Sequence, residues 1–420
     1  MISASSHEAM PLVLRNCTVI DAQHPEPREG MQIVIEGERI QEVTPEPVRI
    51  SSAREIDIRG RSVLPGLIDC HNHIFLSEVY TRRLEAVPLT LMAAQAIPVL
   101  RASLDRGFTT MRDAGGADWG IRDAVDRGII SGPRLFISGR ALSQTGGHGD
   151  YRLRTESDIP CGCASALRFG KFIADGVTEV RRAARDQLRQ GANQIKVMVS
   201  GGVASLNDPI DARQYSAEEI RAIVEEAEAW KTYVMAHAYT PEAIIHAVSN
   251  GVRSIEHGNL VDVEAARLIS QKGAYVVPTL VTYDALHRRG AEYGLPAVSM
   301  SKLSRILEVG LKSIEILKGE GVKIGFGTDL LGELREEQSR EFSIRAEVLT
   351  PYEIICQATA VNAEILNRTG ELGVVAPGAL ADLLVVDGNP LNDISLLEHQ
   401  GRYLSLIMKG GWLYKNVLDA

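Results

Sequence analysis

Two histidines, His71 and His73, stand one residue apart at the end of an apolar run, IDCHNHIFL at residues 68–76. In a β-strand the side chains alternate between faces, so residues i and i+2 point to the same side. A strand here would therefore aim both imidazole rings at one point, and neutral imidazole is a common metal ligand. Two packed core or surface histidines that merely share a face would have the same spacing. The pair alone leaves both interpretations open.

Further side chains capable of metal or acid–base chemistry fall at the ends of other apolar segments. They are Lys196 in QIKVMVS, His237 in YVMAHAY, His257 in SIEHG and Asp329 in KIGFGTD. Together with the first pair, four of the ten histidines occupy such positions, whereas random placement would scatter them over surface helices. We interpret the set as one site, which requires the segments to be strands whose ends converge.

Lys196 interrupts an apolar segment that is expected to be buried on both faces. A buried ammonium group is costly, so it must be paired, lose its proton or be modified. A neutral amine that has captured carbon dioxide becomes a carbamate, whose two anionic oxygens can bridge two metals. The alternative is a core lysine in a salt bridge with Asp329, a residue that could itself bind a metal and accept the proton of a bound water.

The middle of the chain supplies elements that would position these residues. Short apolar segments alternate there with helical stretches, which is typical of βα units and a parallel sheet. The strand candidates are residues 66–73, 109–114, 134–141, 194–200, 233–239, 254–258, 275–281 and 323–329. Between them, Ser216 with Glu219 predicts a capping box, and Thr240 followed by Pro241 predicts a helix start. Eight such units predict an α/β fold, the (β/α)8 TIM barrel.

Both ends of the chain show a different pattern, with short alternating strands separated by polar turns. We predict that residues 1–64 and 371–420 form one small discontinuous β-sandwich domain, interrupted by a catalytic barrel at 65–370. Two long insertions, 144–176 and 201–214, follow the third and fourth barrel strands. Loops at the carboxyl ends of barrel strands build the active site, so these insertions and the loop after the seventh strand, TYDALHRRG (282–290), are expected to shape it.

Composition limits the partners and the compartment. The 420 residues carry a formal net charge of −9, which argues against a nucleic-acid or anionic-membrane partner. No apolar run approaches the roughly 20 residues of a membrane span, and the first residues show no signal-peptide pattern, so we expect a cytoplasmic protein. Five cysteines are too few for a disulfide framework. Cys161 and Cys163 could be a redox or metal pair, or two free thiols in a loop.

The arrangement resembles the amidohydrolase superfamily, whose metal-dependent barrels carry His-x-His on the first strand, lysine on the fourth, histidines on the fifth and sixth, and aspartate on the eighth. LPGLIDCHNH (64–73) and GELGVVAPGALADLLVVDGNP (370–390) also resemble signatures of this superfamily and extend the similarity over nearly the whole chain. The resemblance implies a metal-dependent enzyme that acts on C–N bonds of a small-molecule substrate. Some barrels of this kind form large assemblies, so a homo-oligomer is expected.

The resemblance also implies two divalent metal ions, held by His71, His73, Lys196, His237, His257 and Asp329. The two histidines of the first strand would bind the more buried metal, and a carbamate on the lysine (N6-carboxylysine) would bridge the ions. The histidines of the fifth and sixth strands would hold the second metal, and the aspartate would bind metal and act as general base and acid. Zinc is expected from the ligand types, which would also accept manganese or cobalt.

Finer motifs are similar to one branch of the superfamily, the Xaa-Pro dipeptidases that act as carboxypeptidases and the related ochratoxin-hydrolysing amidases. These motifs are RDAGG (112–116), SGRALSQTGGHGD (138–150), KVMVSGGVAS (196–205), AHAYT (236–240), IEHGNL (255–260) and FGTDLLGE (326–333). By this resemblance His148 and Tyr239 would polarise the scissile carbonyl or stabilise the oxyanion. Cys70 and Asn72 depart from the apolar residues expected beside the two histidines, and Asn72 should point away from the metals.

We therefore predict a binuclear-metal amidohydrolase that cleaves the amide bond to a C-terminal amino acid in Xaa-Pro dipeptides, N-acyl amino acids or ochratoxin-like amides. Arg152 and Arg154 could hold the substrate carboxylate by a bidentate contact, or could simply be solvated loop arginines. One alternative is a one-metal deaminase or cyclic-amide hydrolase similar to imidazolonepropionase, in which Lys196 would not be needed. A second is a non-enzymatic scaffold, which six filled ligand positions disfavour.

Overall fold

The structure is a computed structural model that describes residues 10–152, 171–205 and 208–418. The chain divides into two compact units. The first comprises Met1–Ile68, Ala102–Thr110 and Leu349–Ala420, and the second comprises Asp69–Arg101 and Met111–Val348. The candidate site residues all belong to the second unit.

The strands of the described residues are numbered here in chain order. They are β1 Leu12–Asp21, β2 His24–Glu36, β3 Arg39–Thr44, β4 Arg54–Asp57, β5 Ser62–Pro65, β6 Leu67–Asn72, β7 Phe108–Asp113, β8 Arg134–Ile137, β9 Ala141–Ser143, β10 Lys171–Ile173, β11 Ile195–Met198, β12 Val234–Ala238, β13 Ser254–His257, β14 Tyr275–Val277, β15 Lys323–Ile324, β16 Leu383–Val386, β17 Leu404–Lys409 and β18 Trp412–Asn416.

The α-helices are α1 Leu89–Asp105, α2 Trp119–Asp126, α3 Gly176–Arg189, α4 Ala217–Ala229, α5 Pro241–Ser249, α6 Val263–Lys272, α7 Leu280–Arg289, α8 Ala297–Leu307, α9 Gly310–Gly319, α10 Glu341–Arg345, α11 Pro351–Cys356 and α12 Asn362–Ile365. Short 3₁₀ helices span Thr81–Ala86, Gly332–Arg340 and Ile394–Leu397, and a π-helical turn spans Gln357–Val361.

The first unit is built around a mixed sheet with the order β18-β17-β16-β5-β1-β2-β3, in which β4 also pairs with β1. Strand β5 lies between a parallel neighbour, β1, and an antiparallel neighbour, β16. Side chains such as Leu14, Ile33, Val385 and Leu406 pack into its buried apolar core. Strands from both ends of the chain therefore share one sheet, as the alternating patterns at the two ends predicted.

The second unit contains most of the parallel barrel, whose strands β6 and β7 begin in the first unit. Strands β6-β7-β8 and β10-β9-β11-β12-β13-β14-β15 form its two runs. The runs are joined because the amide of Asn193 donates to the carbonyl of Ile137 (2.7 Å) and the amide of Cys70 donates to that of Phe326 (2.9 Å). At the second join, a Cβ on Gly327 would lie 2.7 Å from the Cβ of His71, so glycine permits this close approach. The predicted fold class, a barrel with a sheet from both chain ends, is confirmed.

Helices follow the barrel strands, and the two predicted helix starts are confirmed. Ser216 and Glu219 make the capping box of α4, and the Thr240 side chain accepts from the amide of Ala243 at the start of α5. Strands β11, β12 and β13 are buried throughout, including their polar residues Lys196, His237 and Glu256. Within the described residues no helix is long and apolar enough to cross a membrane.

The third, seventh and eighth predicted strands differ from the structure, and of the eighth, predicted at 323–329, only Lys323–Ile324 form a strand. The third is split into β8 and β9, because Gly139 adopts a left-handed conformation (φ 65°) between them. The seventh ends at Val277, because Thr279 is also left-handed (φ 49°) and starts α7. TYDALHRRG, which we expected to be a loop, is therefore largely helical. The apolar run YVVPTLV (275–281) before it is too short for its sequence to distinguish a strand from a strand followed by the first turn of a helix.

Candidate metal centre

The two histidines that end β6 converge on Asp329. The Nε2 atoms of His71 and His73 lie 3.5 and 3.1 Å from Asp329 Oδ1. Asp329 follows β15 in a left-handed conformation (φ 53°), and its amide donates to the carbonyl of His71 (2.7 Å). Asn72, between the histidines, instead donates to Asp69 (3.2 Å). The alternation of a strand therefore places the two imidazoles as the sequence predicted.

The outer nitrogen of each ring is held by a group that fixes the proton. His73 Nδ1 lies 2.8 Å from the carbonyl of Gly115, which can only accept, so Nδ1 carries the proton. His71 Nδ1 lies 2.6 Å from the Glu256 carboxylate. Burial, followed by the charge of Lys196, lowers the pKa of His71 to about 4, so its ring is neutral at pH 7. Both Nε2 atoms then present lone pairs toward Asp329.

This polarity provides a test of whether a metal fits. Lone pairs of two imidazoles and a carboxylate repel one another when they face each other at 3.1–3.5 Å, and a cation between them reverses the sign of the interaction. In metal-binding histidines, one ring nitrogen binds the metal and the other typically donates to a carboxylate or carbonyl, as it does here. The donor set therefore fits a divalent cation.

Asp329 is ionised for this task. Burial alone would raise the pKa of Asp329, but its surroundings, among them the positive charge of Lys196, lower it below the usual value. His71, His257 and Asp329 each offer an atom within 4.8 Å of the others, which makes them a possible metal site. His257 ends β13 with a left-handed backbone (φ 73°), and its Nδ1 lies 3.9 Å from Asp329 Oδ2.

The remaining predicted ligands lie on the same pocket. Lys196 is almost fully buried (1% exposed) in β11, and its positive charge lowers the pKa values of His71 and Asp329. His237, on the neighbouring strand β12, donates from Nε2 to the carbonyl of Gly201 (3.1 Å), and its ring centroid lies 4.6 Å from that of His257. The strand order explains the proximity, because β11, β12 and β13 are neighbours.

Two further predicted residues line the pocket beside these histidines. His148 stacks on His237 with ring centroids 4.2 Å apart, and Tyr239 stacks on His257 at 5.1 Å. Burial raises the pKa of Tyr239, so its hydroxyl keeps its proton and can donate at neutral pH. The structure thus brings all eight predicted site residues around one pocket: His71, His73, His148, Lys196, His237, Tyr239, His257 and Asp329.

The predicted carboxylate-binding arginines are placed differently. Arg152 donates from Nε to Asp150 Oδ1 (2.7 Å), so its guanidinium pairs with a neighbouring loop carboxylate. Arg154, Cys161 and Cys163 lie outside the described residues. The structure therefore leaves the binding of a substrate carboxylate unassigned.

Sequence reasoning missed a buried ion pair behind the first histidine. Glu256 and Arg112 are both fully buried and 2.8 Å apart, and Glu256 also accepts from Ser254 (2.6 Å) and His71. Burial alone would raise the pKa of Glu256, but the charge of Arg112 and the hydrogen bond from His71 lower it to about 2. The signal was available, because each residue is a charge inside a predicted barrel strand, as Lys196 is.

Tyr283, on α7, was also missed. Its hydroxyl lies 2.9 Å from His257 Nδ1 and 2.8 Å from the hydroxyl of Tyr239, and Thr279 Oγ1 lies 2.9 Å from the same nitrogen. Burial, with the nearby Tyr239 and Asp329, raises its pKa well above the usual value, so it too stays protonated. The segment that carries it was expected to shape the pocket, but as a loop, so the sequence could not place this side chain.

Comparison with known proteins agrees with this arrangement. The model of the amidohydrolase family matches residues 62–413, which is most of the chain. The chain therefore belongs to the amidohydrolase family, as the residue pattern predicted, and is a metal-dependent hydrolase acting on C–N bonds.

Three relatives are similar over nearly their whole length. The ochratoxinase of Aspergillus niger is 32% identical over 430 residues, covering 99% of this chain and 89% of that protein. The crystal structure of a prolidase complexed with N-methylphosphonate-L-proline is 52% identical, with a TM-score of 0.94, and covers 97% of this chain and 100% of the other. The structure of a Xaa-Pro dipeptidase with bound methionine is 29% identical, with a TM-score of 0.84 and the same coverage.

Proposed function

We propose that this protein is a binuclear-metal amidohydrolase that cleaves the amide bond to a C-terminal amino acid, in Xaa-Pro dipeptides, N-acyl amino acids or ochratoxin-like amides. The observation that carries the proposal is the convergence of eight predicted side chains, with two imidazole lone pairs facing one carboxylate, on a single pocket. The similarity to a prolidase, a Xaa-Pro dipeptidase and an ochratoxinase supports the substrate class.

Six side chains would hold the metals, zinc by ligand type: His71, His73, Lys196, His237, His257 and Asp329. His71 and His73 would hold the more buried ion, and His237 and His257 would hold the second ion. A carbamate on Lys196 would bridge the two ions. When bound, two such ions act as Lewis acids toward the scissile carbonyl and make a water more acidic.

The chain's own groups then move the protons. Asp329, ionised and central, accepts the proton of the attacking water and returns it to the departing nitrogen, because an amine leaves readily only once it is protonated. The new C–O bond forms first, the C–N bond breaks once the nitrogen is protonated, and the products are a carboxylic acid and an amino acid. His148 and Tyr239 donate hydrogen bonds to the carbonyl oxygen as its negative charge develops.

The first experiment is a panel of Xaa-Pro dipeptides and N-acyl amino acids, assayed for release of free amino acid by metal-loaded and chelator-treated protein. We expect a metal-dependent subset to be hydrolysed. Asp329→Asn should lower kcat by at least about 10⁴-fold with metal content nearly unchanged, whereas Asp211→Asn, an exposed carboxylate paired with Arg305, should behave as wild type. An active Asp329→Asn variant would remove the proposed acid–base role.

A second experiment addresses the lysine and the metal count. Elemental analysis should give two ions per chain in the wild type, and Lys196→Ala should lose both activity and metal. Short carboxylic acids such as acetate should restore part of the activity of Lys196→Ala, because they supply the carboxylate that the carbamate would provide. One ion per chain, with Lys196→Ala still active, would instead favour a one-metal deaminase or cyclic-amide hydrolase, to be tested on those substrates.

A further inference from the structure

The segment 201–214, which follows β11, supplies contacts to the pocket in its described residues 201–205 and 208–214. Val203 and Ala204 line the pocket wall. The carbonyl of Gly201 accepts from His237, and a Cβ on Gly202 would lie 2.3 Å from Cε1 of His148, so the backbone packs directly on that ring. Movement of this segment would therefore displace both the wall and a candidate catalytic histidine.

His148 is held by this same segment. Its Nδ1 lies 2.9 Å from Ser205 Oγ and 3.5 Å from Asp208 Oδ2. Ser205 Oγ donates its own hydrogen to the carbonyl of Gly202 (3.2 Å), so it accepts from His148, and Nδ1 carries a proton, as it does in the doubly protonated ring that donates from Nε2 to the substrate carbonyl. The amide of His148 donates to Gln214 (2.9 Å), whose side chain also donates to Asp208 (3.1 Å). The orientation of the imidazole is therefore set by the segment.

A lysine on α8, Lys302, forms hydrogen bonds that hold this segment in place. Lys302 Nζ lies 3.0, 2.9 and 2.7 Å from the carbonyl oxygens of Gly202, Ser205 and Asp208. An ammonium group has three N–H donors, and each finds one carbonyl acceptor. Two of these carbonyls flank the wall residues 203 and 204, and two belong to the residues that hold His148. Charge-assisted bonds of this kind are stronger than neutral ones.

We propose that Lys302 is a positioning residue of the hydrolytic reaction: its ammonium group donates to the carbonyls of Gly202, Ser205 and Asp208, an arrangement called the clasp below, and thereby orients His148 and the pocket wall. This inference rests on the proposed function for its kinetic consequence, but the clasp itself is independent of which amide is cleaved. The lysine acts through the segment and His148.

The test is a double-mutant cycle with an added structural readout. Lys302→Met removes the donors and keeps the length of the side chain. We expect kcat to fall about 10- to 100-fold, as for a misplaced catalytic group, with metal content unchanged. In a His148→Asn background the same substitution should change kcat by less than about 2-fold, because the residue through which Lys302 acts is already lost. Lys312→Met, an exposed lysine paired with Glu315, is the matched control.

Hydrogen exchange of the metal-loaded protein separates failure of the clasp from failure of the proposed function. The amides of Gly201 and Ala212 donate to carbonyls within the segment, so in Lys302→Met they should exchange at least about 10-fold faster, while the peptides of β12 and β13 keep the wild-type rate. Unchanged exchange at these amides would overturn the clasp whatever the enzyme hydrolyses. Equal losses of kcat from Lys302→Met with and without His148 would overturn the route through the histidine.

Discussion

The substitution Glu256→Gln should move the proton of the His71 ring from Nδ1 to Nε2 and so weaken metal binding. Arg112 and Ser254 both donate to Oε1 of Glu256, whereas His71 Nδ1 faces Oε2. A glutamine would keep its oxygen toward the first two donors and turn its NH₂ group toward His71. The ring would then have to accept at Nδ1 and carry its proton on Nε2, the atom that faces Asp329.

Two magnitudes follow. Loss of a partner that orients a metal-binding histidine typically costs 10- to 100-fold in metal affinity, which is about 1.4–2.7 kcal/mol. Breaking a buried ion pair costs about 3–5 kcal/mol of stability, because the Arg112 charge stays buried without its carboxylate. Zinc affinity would be measured by competition with a chromophoric chelator, and stability by urea unfolding of the metal-free protein.

Glu341→Gln separates the two effects. Glu341 is equally buried and pairs with Arg345 at 2.7 Å, and its second oxygen accepts from the amide of Val281 (2.6 Å), but it contacts no candidate ligand among the described residues. We expect it to destabilise the protein by a similar amount and to leave zinc affinity unchanged. Wild-type affinity in Glu256→Gln, or an equal fall in Glu341→Gln, would refute the tautomer argument.

Three other predictions concern neighbouring groups. Tyr283→Phe removes a hydroxyl 2.9 Å from His257 Nδ1 and should lower kcat about 10-fold in steady-state assays. Gly202→Ala places a Cβ 2.3 Å from the His148 ring and should lower kcat/KM about 100-fold. Because burial lowers the pKa of His71 to about 4, the unfolded chain binds this proton first, and the free energy of unfolding of the metal-free protein should fall by on the order of 3 kcal/mol between pH 6.5 and 4.

Each of these has a control. Metal content should be retained in Tyr283→Phe, because Thr279 still bonds His257, and loss of metal would indicate a structural role. Gly319→Ala, where nothing lies within 4 Å of the new Cβ, should keep full activity. His71→Asn should lack the predicted loss of stability between pH 6.5 and 4, measured by urea unfolding, and the same loss in both proteins would assign it to other groups.

The barrel and the positions of the ligands could be predicted because they depend on local periodicity. Alternation along a strand aims His71 and His73 together, and parallel strands bring their carboxyl ends to one mouth, so residues such as His237 and His257 meet without any pairwise signal. The helix starts were equally local, since the capping box of Ser216 involves residues only three positions apart.

The support around the site could not be predicted in the same way, because it depends on contacts between distant segments. Lys302 reaches carbonyls about a hundred residues away through ordinary helix positions, and nothing in its own sequence neighbourhood distinguishes it from a solvated lysine. The position of Tyr283 depends on the left-handed Thr279, a conformation that sequence favours in glycine or asparagine. Arg112 and Glu256 could have been predicted by the reasoning applied to Lys196, because a charged residue in a buried strand needs a partner.

The mixed sheet also has a consequence for biosynthesis. Strand β5 is an interior strand only because Val63 and Leu64 pair with Val385 and Leu384 of β16. At a synthesis rate of about 5–20 residues per second, roughly 16–64 s separate the emergence of the two partners from the ribosome. During that interval the apolar β5 is an exposed sheet edge, able to pair with another nascent chain. Yield in a cell should therefore depend on how well this edge is shielded until the last forty residues arrive.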